Sequence, residues 1–335
     1  MKQRGFRRCP TCSTKLQKRG LTAAGAQRWF CVQCARSATR PRDDLARAFT
    51  LERFVAWLMG KQSQVELSHG ITDRTWRAQT TWCWQIAPEP LLTGEVYPVI
   101  LLDGIRIGGL VCLIARTQDY VIGWHWAGWE SSHTWEKLLK QLPPPAVVVC
   151  DGQKGILLAI ARCWPKTRIQ RCIFHVWQNI RVKLTLHPQT TAGQELLALT
   201  KTLLRGIATK EEANQWQKQI ANWEQEHSSF IRERTYVPDP RPGKHNWWYT
   251  HGRLRSAYRQ LTKLVQDNQL FTYLDETVTP VPIPRTTNYV EGGINSQLRT
   301  KLKLHRGMSE EHQRRLVEWY LYSRTDAPKP PRNFL

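Results

Sequence analysis

The sequence Val-Ile-Leu-Leu-Asp-Gly, residues 99–104, has a counterpart in Ala-Val-Val-Val-Cys-Asp-Gly, residues 146–152. Each is a short apolar run of the kind that forms a buried strand, and each ends on Asp-Gly. A carboxylate at the C-terminal end of a buried strand is a suitable ligand for a divalent cation, because the strand holds it rigidly. Two such strands in one basic chain suggest metal-dependent chemistry on a polyanion. Taken alone, either Asp-Gly is also compatible with a plain turn.

The composition favours a nucleic-acid partner. The chain has 335 residues, 41% of them hydrophobic, and its net charge is +22, which fits about two domains and a strongly basic surface. Folding does not need so much positive charge, and self-repulsion makes it costly. No apolar run reaches the ~18 residues of a membrane span, no secretory signal follows the basic N-terminus, and no Walker-type glycine loop indicates ATP use. We therefore expect a cytoplasmic protein that binds nucleic acid and uses neither a membrane nor ATP.

Four of the nine cysteines have the spacing of a zinc site. They form two Cys-x2-Cys pairs, which are Cys9, Cys12, Cys31 and Cys34. Four thiolates leave no open position on the ion, so the predicted Zn²⁺ is structural. Two disulfides in a secreted protein are the alternative, which the odd cysteine count disfavours. Residues 1–42 carry eleven Lys or Arg and no acid, so this zinc ribbon is predicted to bind DNA, with a protein-binding ribbon as the other interpretation.

Residues 43–88 predict a helical segment that resembles a helix-turn-helix. Apolar residues repeat at helical spacing from Leu45 to Met59, a short helix fits residues 63–68, and Thr72 can cap a third helix over residues 73–85. On that third helix the candidate readers of bases and phosphates are Arg74, Thr75, Arg77 and Gln79. A plain three-helix connector between two domains is the alternative.

Residues 89–187 predict a mixed α/β domain. Three strands near residues 97–107, 110–117 and 120–126 precede a helix and a strand-helix-strand unit. This is the order of a ribonuclease-H-like sheet, in which the first and fourth strands are neighbours, so that Asp103 and Asp151 would meet. Residues 188–282 predict an all-helical insertion, and residues 283–335 predict a C-terminal catalytic helix and tail.

Three segments resemble the mutator-type bacterial insertion-sequence transposases, which are DDE enzymes with a ribonuclease-H-like core. They are residues 102–104, residues 150–180 and residues 286–307. By that resemblance Asp103, Asp151 and Glu291 are the metal-binding triad, and the pair Cys172 and His175 matches a family signature near the active site. From the residues alone, Glu291 could instead cap its own helix.

The resemblance implies a two-metal transposition mechanism. Two Mg²⁺ ions, for which Mn²⁺ can substitute, would serve hydrolysis at the element's ends and then attack of each 3′-hydroxyl on target DNA. The implied partners are terminal inverted repeats, target DNA and at least a second copy of the chain, in the nucleoid of a bacterium. Arg299 and Lys301 are predicted to bind DNA. Related enzymes often place a basic residue seven positions after the Glu, where this chain has Leu298.

Three other functions stay open at this point. An inactive or domesticated DNA-binding regulator would use residues 1–86 and bind DNA without cleaving it. A nuclease would cut DNA without joining it. An RNA-processing enzyme with the same fold is the third, although no RNA-binding motif in the sequence supports it.

Overall fold

The structure is a computed structural model that describes residues 8–335 except residues 10, 13, 40–42, 61–65, 67–71, 237 and 239–245. The side chains of Asp43 and Glu291 also lie outside the described part. The chain divides into two compact units, one made of Met1–Glu89 with Leu298–Leu335 and the other of Pro90–Gln297. None of the helices in these described ranges is long and apolar enough to cross a bilayer.

The first unit contains a small antiparallel sheet beside the cysteine pairs. Its strands are β1 (Gln17–Leu21), β2 (Gln27–Cys31) and β3 (Arg36–Ala38), paired in that order. The small core here consists of Leu16 and the cysteines, with Trp29 packed against them. The hairpin of β1 and β2 therefore carries the second cysteine pair back to the first.

The helices of the first unit come from both of its stretches. They are α1 (Asp43–Met59), α2 (Asp73–Thr80), which continues as a 3-10 turn over Thr81–Gln85, and α11 (Glu310–Tyr322), which packs on α1. Thr72 caps α2 as predicted, because its hydroxyl accepts a hydrogen bond from the Thr75 backbone N–H at 3.3 Å. The helix predicted at residues 63–68 falls almost wholly outside the described residues, and the helix-turn-helix arrangement remains a prediction.

The second unit is built on a five-stranded mixed sheet. Its strand order is β6-β5-β4-β7-β8, formed by β4 (Val99–Ile107), β5 (Leu110–Arg116), β6 (Val121–Ala127), β7 (Val147–Cys150) and β8 (Arg168–Arg171). The first three strands form an antiparallel meander, and β7 and β8 run parallel to β4. The prediction that the first and fourth strands of this sheet are neighbours is therefore confirmed.

Two helices cover one face of this sheet. They are α3 (Ser132–Leu139) and α4 (Lys154–Cys163), and α3 begins with a capping box between Ser131 and Thr134. Ile100 and Leu102 of β4 belong to the core that these helices share with the sheet. Since side chains alternate along a strand, Asp103 points to the opposite face.

A mostly helical stretch with its own core follows the sheet. Its helices are α5 (Ile173–Leu184), α6 (Thr191–Arg205), α7 (Lys210–Arg232) and α8 (Gly252–Gln266). Trp216 and Trp223 are buried in that core, and their indole N–H groups donate to the carbonyls of Leu199 and Ala192 at 2.9 and 3.0 Å. The insertion is not entirely helical, because β9 (Arg234–Tyr236) and β10 (Trp247–Tyr249) form a short antiparallel pair.

The C-terminal helix predicted within residues 283–335 is present, but it is not a continuous α-helix. It begins with the helical turn α9 (Asn288–Val290), widens into a π turn over Glu291–Asn295 and continues as α10 (Ser296–Leu304). Ile294 and Leu298 are buried. A π turn inserts one residue into a helix and occurs frequently at functional sites.

The first prediction concerns the sheet core. Replacing Leu113, which is fully buried in the middle of β5, with alanine is expected to lower the free energy of unfolding by about 2–5 kcal/mol, because the cavity cannot collapse completely. Leu158→Ala on α4 is the matched control, since that side chain is 40% exposed, and its cost should stay below about 1 kcal/mol. Urea denaturation measures both, and equal losses would contradict the assigned core.

Candidate functional site

The parallel pairing of β4 with β7 brings the residues just before Asp103 and Asp151 side by side. The register pairs Leu101 with Val149, and each aspartate lies two residues further along its own segment. Neighbouring strands are about 4.8 Å apart, and the Asp103 side chain falls on the face away from α3 and α4. A carboxylate in the middle of β4 and another directly after the neighbouring β7 are suitable ligands for a hard divalent cation.

Hydrogen bonds hold both oxygens of the Asp103 carboxylate. Its Oδ1 accepts from the Gly104 backbone N–H at 2.9 Å, and its Oδ2 accepts from Asn295 Nδ2 at 3.0 Å. Asp103 is 8% exposed and Asn295 is 3% exposed. Asn295 is the last residue of the π turn, so this turn contacts the first acid of the site directly.

The Asp151 carboxylate sits on a tight turn that an arginine supports. Its Oδ1 accepts from the Gln153 backbone N–H at 3.0 Å. Gly152 has a φ of 72°, a left-handed conformation that favours glycine. The Arg171 guanidinium lies beneath the turn and donates twice to the Asp151 carbonyl, at 2.7 and 3.1 Å. A Cβ at Gly152 would lie 1.9 Å from that guanidinium, so the position excludes a side chain for two separate reasons.

A second buried arginine holds the start of the helix that carries Glu291. Arg116 is 7% exposed, and its guanidinium donates to the carbonyls of Thr117, Gln118 and Tyr289 at 2.7, 2.5 and 2.6 Å. Tyr289 lies two residues before the predicted third acid, whose side chain is outside the described part. The sheet thus holds this segment at both ends, through Arg116 before the π turn and Asn295 at its end.

The pair Cys172 and His175 ties α5 to the segment that leads into the same helix. The Cys172 sulfur accepts hydrogen bonds from the backbone N–H and the hydroxyl of Thr287, at 3.2 and 3.3 Å. Burial acts to raise the pKa of Cys172, but the hydrogen bond and charge of His175, together with Thr287, bring it below its ordinary value. Cys172 of this predicted pair therefore makes a structural contact with the segment just before Asn288.

The four cysteines predicted to bind metal form one cluster. The four sulfur atoms all lie within 4.8 Å of one another, and the sulfurs of Cys12 and Cys31 are 3.3 Å apart. A tetrahedron with metal–sulfur bonds of about 2.3 Å has edges of about 3.8 Å, so the cluster could hold a metal ion. Burial opposes ionisation of Cys12, but hydrogen bonds led by those from Thr14 lower its pKa to about 6, whereas the Cys12 contact raises the pKa of Cys34 to about 12.

The residues predicted to contact DNA differ in how exposed they are. Arg74, Thr75, Arg77 and Gln79 are all exposed on α2, around a buried Trp76. Arg299 is exposed as well. Lys301 is half-buried, and its ammonium group donates to the Met59 carbonyl and lies 5.8 Å from the centre of the Tyr320 ring. Lys301 therefore also makes contacts within the first unit, and these contacts were not predicted from the sequence.

Two residues that contact the aspartates were not expected from the sequence. Arg171 and Asn295 touch the two aspartates through the contacts described above, although both lie inside segments that carry the family resemblance. Their types gave no local signal, because an arginine at a strand end and an asparagine in a helix are usually solvent-exposed. Only the strand pairing and the π turn bring them to the carboxylates.

Comparison with known proteins gives a match to the family described as "Transposase, Mutator family" over residues 58–235, more than half of the chain. This region includes Asp103, Asp151, Cys172 and His175, and it ends before Glu291.

Three curated proteins are also similar to the chain. They are "Probable transposase for insertion sequence element" of Corynebacterium diphtheriae, 25% identical over 205 residues, "Transposase for insertion sequence element IS6120" of Mycolicibacterium smegmatis, 28% over 109 residues, and "Transposase for insertion sequence element IS905" of Lactococcus lactis, 26% over 152 residues. The matches cover 53%, 30% and 40% of this chain and 58%, 31% and 38% of the relatives. Each match therefore spans less than two thirds of the relative's length.

The turn at Asp151 gives a prediction about stability. Gly152→Ala should lower the free energy of unfolding by at least about 2 kcal/mol more than Gly94→Ala, because it displaces the Arg171 guanidinium from a charge-assisted hydrogen bond. Gly94 is a matched control, since its φ is 74° and a Cβ there would meet nothing within 4 Å. The control isolates the backbone cost, which is about 1–2 kcal/mol.

A double-mutant cycle measures the contact itself. In an Arg171→Ala background the excess cost of Gly152→Ala over Gly94→Ala should vanish, because the side chain that collides with the new Cβ is gone. An excess that persists in that background would show that Arg171 does not support the turn.

Proposed function

Because the chain belongs to the Mutator family of transposases, we propose that it is an insertion-sequence transposase that binds terminal inverted repeats and joins the element's 3′ ends to target DNA. The observation that carries this proposal is the parallel pairing of β4 with β7, because Asp103 and Asp151 each follow its last residue pair, Leu101 and Val149, by two residues. The strand order of three antiparallel strands followed by two parallel ones supports a ribonuclease-H-like core. Relatives named as insertion-sequence transposases support the same function.

The donor set fits Mg²⁺ or Mn²⁺, because carboxylate oxygens are the ligands that these hard cations prefer. Asp103, Asp151 and Glu291 would hold the ions. When bound, such ions lower the pKa of the attacking water or 3′-hydroxyl and stabilise the departing oxygen. The chain's own residues fix the ligands beforehand, since Asn295 orients the Asp103 carboxylate and Arg171 fixes the backbone beneath Asp151. Such preorganisation lowers the cost of assembling the site around DNA.

The reaction we propose has two steps. Water first attacks a phosphodiester at each end of the element and leaves a 3′-hydroxyl, and that hydroxyl then attacks a phosphodiester of target DNA. The second step exchanges one phosphodiester for another, so it needs no nucleotide hydrolysis. Each chain has one triad and an element has two ends, so at least two copies must act together. The proteins would work on DNA in the bacterial cytoplasm.

The first unit would supply recognition of the inverted repeats. The four polar residues of α2 are exposed, as contacts with bases and phosphates require, and Arg299 and Lys301 add positive charge. The four cysteines would hold one structural Zn²⁺, which fixes a basic module without the need for a large core. With a net charge of +22, affinity for DNA should fall steeply as salt rises.

The central prediction tests the catalytic role of Asp151. Incubated with inverted-repeat ends, target plasmid and Mg²⁺, the wild-type protein should form joined 3′ ends, detected on a sequencing gel. Asp151→Asn should bind the same DNA with unchanged affinity and form no joined product, a loss of at least about 10³-fold, because a neutral amide no longer binds the cation as a carboxylate does. Asp119→Asn, in the exposed turn between β5 and β6, is the control and should join DNA normally.

The same assay separates the rival functions. Cleavage without joining by the wild-type protein would indicate a nuclease, and specific binding without metal-dependent cleavage would indicate a regulator. Equal joining by the wild-type protein and Asp151→Asn would refute the assignment of the site.

The zinc proposal has its own measurement. Elemental analysis of the purified chain should find about one zinc per chain, and the double variant Cys9→Ser/Cys12→Ser should lose it, because two of the four ligands are gone. Cys163→Ser, a half-buried cysteine at the end of α4, is the control and should retain the metal. Zinc retained by the double variant would place the ion elsewhere.

A further inference from the structure

The short hairpin formed by β9 and β10 exposes two aromatic side chains. In its register Tyr236 lies opposite Trp247, and Trp248 lies opposite Thr235. Opposite residues share a face of the hairpin and side chains alternate along each strand, so Tyr236 and Trp248 lie on different faces. Tyr236 is 62% exposed and Trp248 is 55% exposed. The hairpin therefore presents one aromatic ring to solvent on each of its faces.

Contacts at the other positions of the hairpin hold it in place. The guanidinium of Arg234 lies 4.0 Å from the centre of the Trp247 ring, and that of Arg255 lies 4.0 Å from the centre of the Tyr249 ring. The rings of Trp247 and Tyr249 pack edge to face, with their centres 5.1 Å apart. A two-stranded hairpin alone is marginally stable in water, and the Arg255 contact joins this one to α8. The exposed rings are thus held on a support, which lowers the entropy cost of binding a ligand.

The helix that follows the hairpin supplies positive charge. The sequence of α8 contains four basic residues and no acidic one. Arg255, Arg259 and Lys263 are spaced by four residues, so they follow one side of the helix over about 12 Å. Arg259 and Lys263 are exposed. A row of cations that starts beside aromatic rings suits single-stranded nucleic acid, because cations attract the phosphates while the rings stack on the bases.

The exposed rings favour unpaired bases over paired ones. In a duplex each base is stacked on its neighbours, and a side chain reaches its face only after the base has been unstacked, which costs free energy. An unpaired base offers its face at no such cost, and any of the four bases can stack on an aromatic ring. The charge of α8 likewise matches a polyanion rather than an apolar protein surface.

We propose that the hairpin of β9 and β10, together with α8, is a binding surface for unpaired DNA, in which Tyr236 and Trp248 each stack on a base and Arg259 contacts a neighbouring phosphate. The inference rests on the proposed function, because strand cleavage at the ends of an element is the step that exposes unpaired bases. It adds a contact with DNA in the second unit that the three acidic residues do not supply.

A comparison of forked and blunt DNA tests this surface. Both duplexes carry the same inverted-repeat end, and the fork adds about ten unpaired thymidines to each strand, more than one stacking site requires. The full chain is titrated into each labelled DNA without Mg²⁺, and fluorescence anisotropy reports binding. Trp248→Ala should weaken binding of the fork about tenfold through the loss of one stacked base, and it should leave binding of the blunt duplex unchanged. Wild-type affinity for the fork, or equal losses for both DNAs, would overturn the proposal.

Three further variants test the chemistry of the contact. Trp248→Phe keeps an aromatic ring and should bind the fork as the wild-type protein does. Trp129→Ala is the matched control, since Trp129 is a 70% exposed tryptophan of the same unit, between β6 and α3, and it should also keep wild-type affinity. Arg259→Gln should weaken binding of the fork and lower the slope of log Kd against log salt by about 0.7, the share of one phosphate contact on a single strand. A loss in Trp129→Ala equal to that in Trp248→Ala, or an unchanged slope in Arg259→Gln, would contradict the assigned surface.

The joining assay separates this inference from the proposed function. If the wild-type chain joins DNA and Trp248→Ala binds the fork equally well, only the inference fails. If the wild-type chain joins no DNA but Trp248→Ala loses affinity for the fork, the proposed function fails and the hairpin remains a surface for unpaired DNA. Unchanged binding of the fork with a lower molar mass of Trp248→Ala in solution would instead identify a contact between copies of the chain, which would overturn the inference.

Discussion

The parallel pairing of β4 with β7 is the constraint on which the candidate site depends. Because side chains alternate along a strand, a slip of one residue in this register would turn every side chain of β7 to the opposite face relative to Asp103. The apolar residues that precede both aspartates are buried on both faces of the sheet, so each aspartate follows a segment that the core holds in place.

The two Asp-Gly pairs look alike in sequence but owe their glycines to different causes. Gly104 lies in regular strand and leaves space for the Glu130 carboxylate, whereas Gly152 adopts a left-handed conformation over the Arg171 guanidinium. In each case the absence of a side chain next to an acid lets a charged group approach the backbone. A repeated dipeptide thus serves two distinct contacts, one with an anion and one with a cation.

Local patterns were enough to predict that the first and fourth strands are neighbours, that Thr72 caps α2 and that four cysteines cluster, because each depends on spacing within one segment or on a standard topology. The contacts of Arg171, Asn295 and Glu130 could not be predicted in the same way, since residues distant in sequence create them. The π turn was also missed, because the apolar spacing of Ile294 and Leu298 fits an α-helix equally well. The strands β9 and β10 are short and lie between long helices. The helical periodicity of the flanking segments therefore led to the prediction of an all-helical region.

The division of the chain has a consequence for its synthesis. The first unit needs residues from both Met1–Glu89 and Leu298–Leu335, and α1 packs against α11 of the later stretch. A ribosome adds about 5–20 residues per second, so the earlier stretch waits roughly 10–40 s for its partner while the whole second unit is made. During that interval the second unit can fold first, and the apolar face of α1 stays uncovered. Nascent chains therefore pass through a stage in which the apolar face of α1 is available to holdase chaperones.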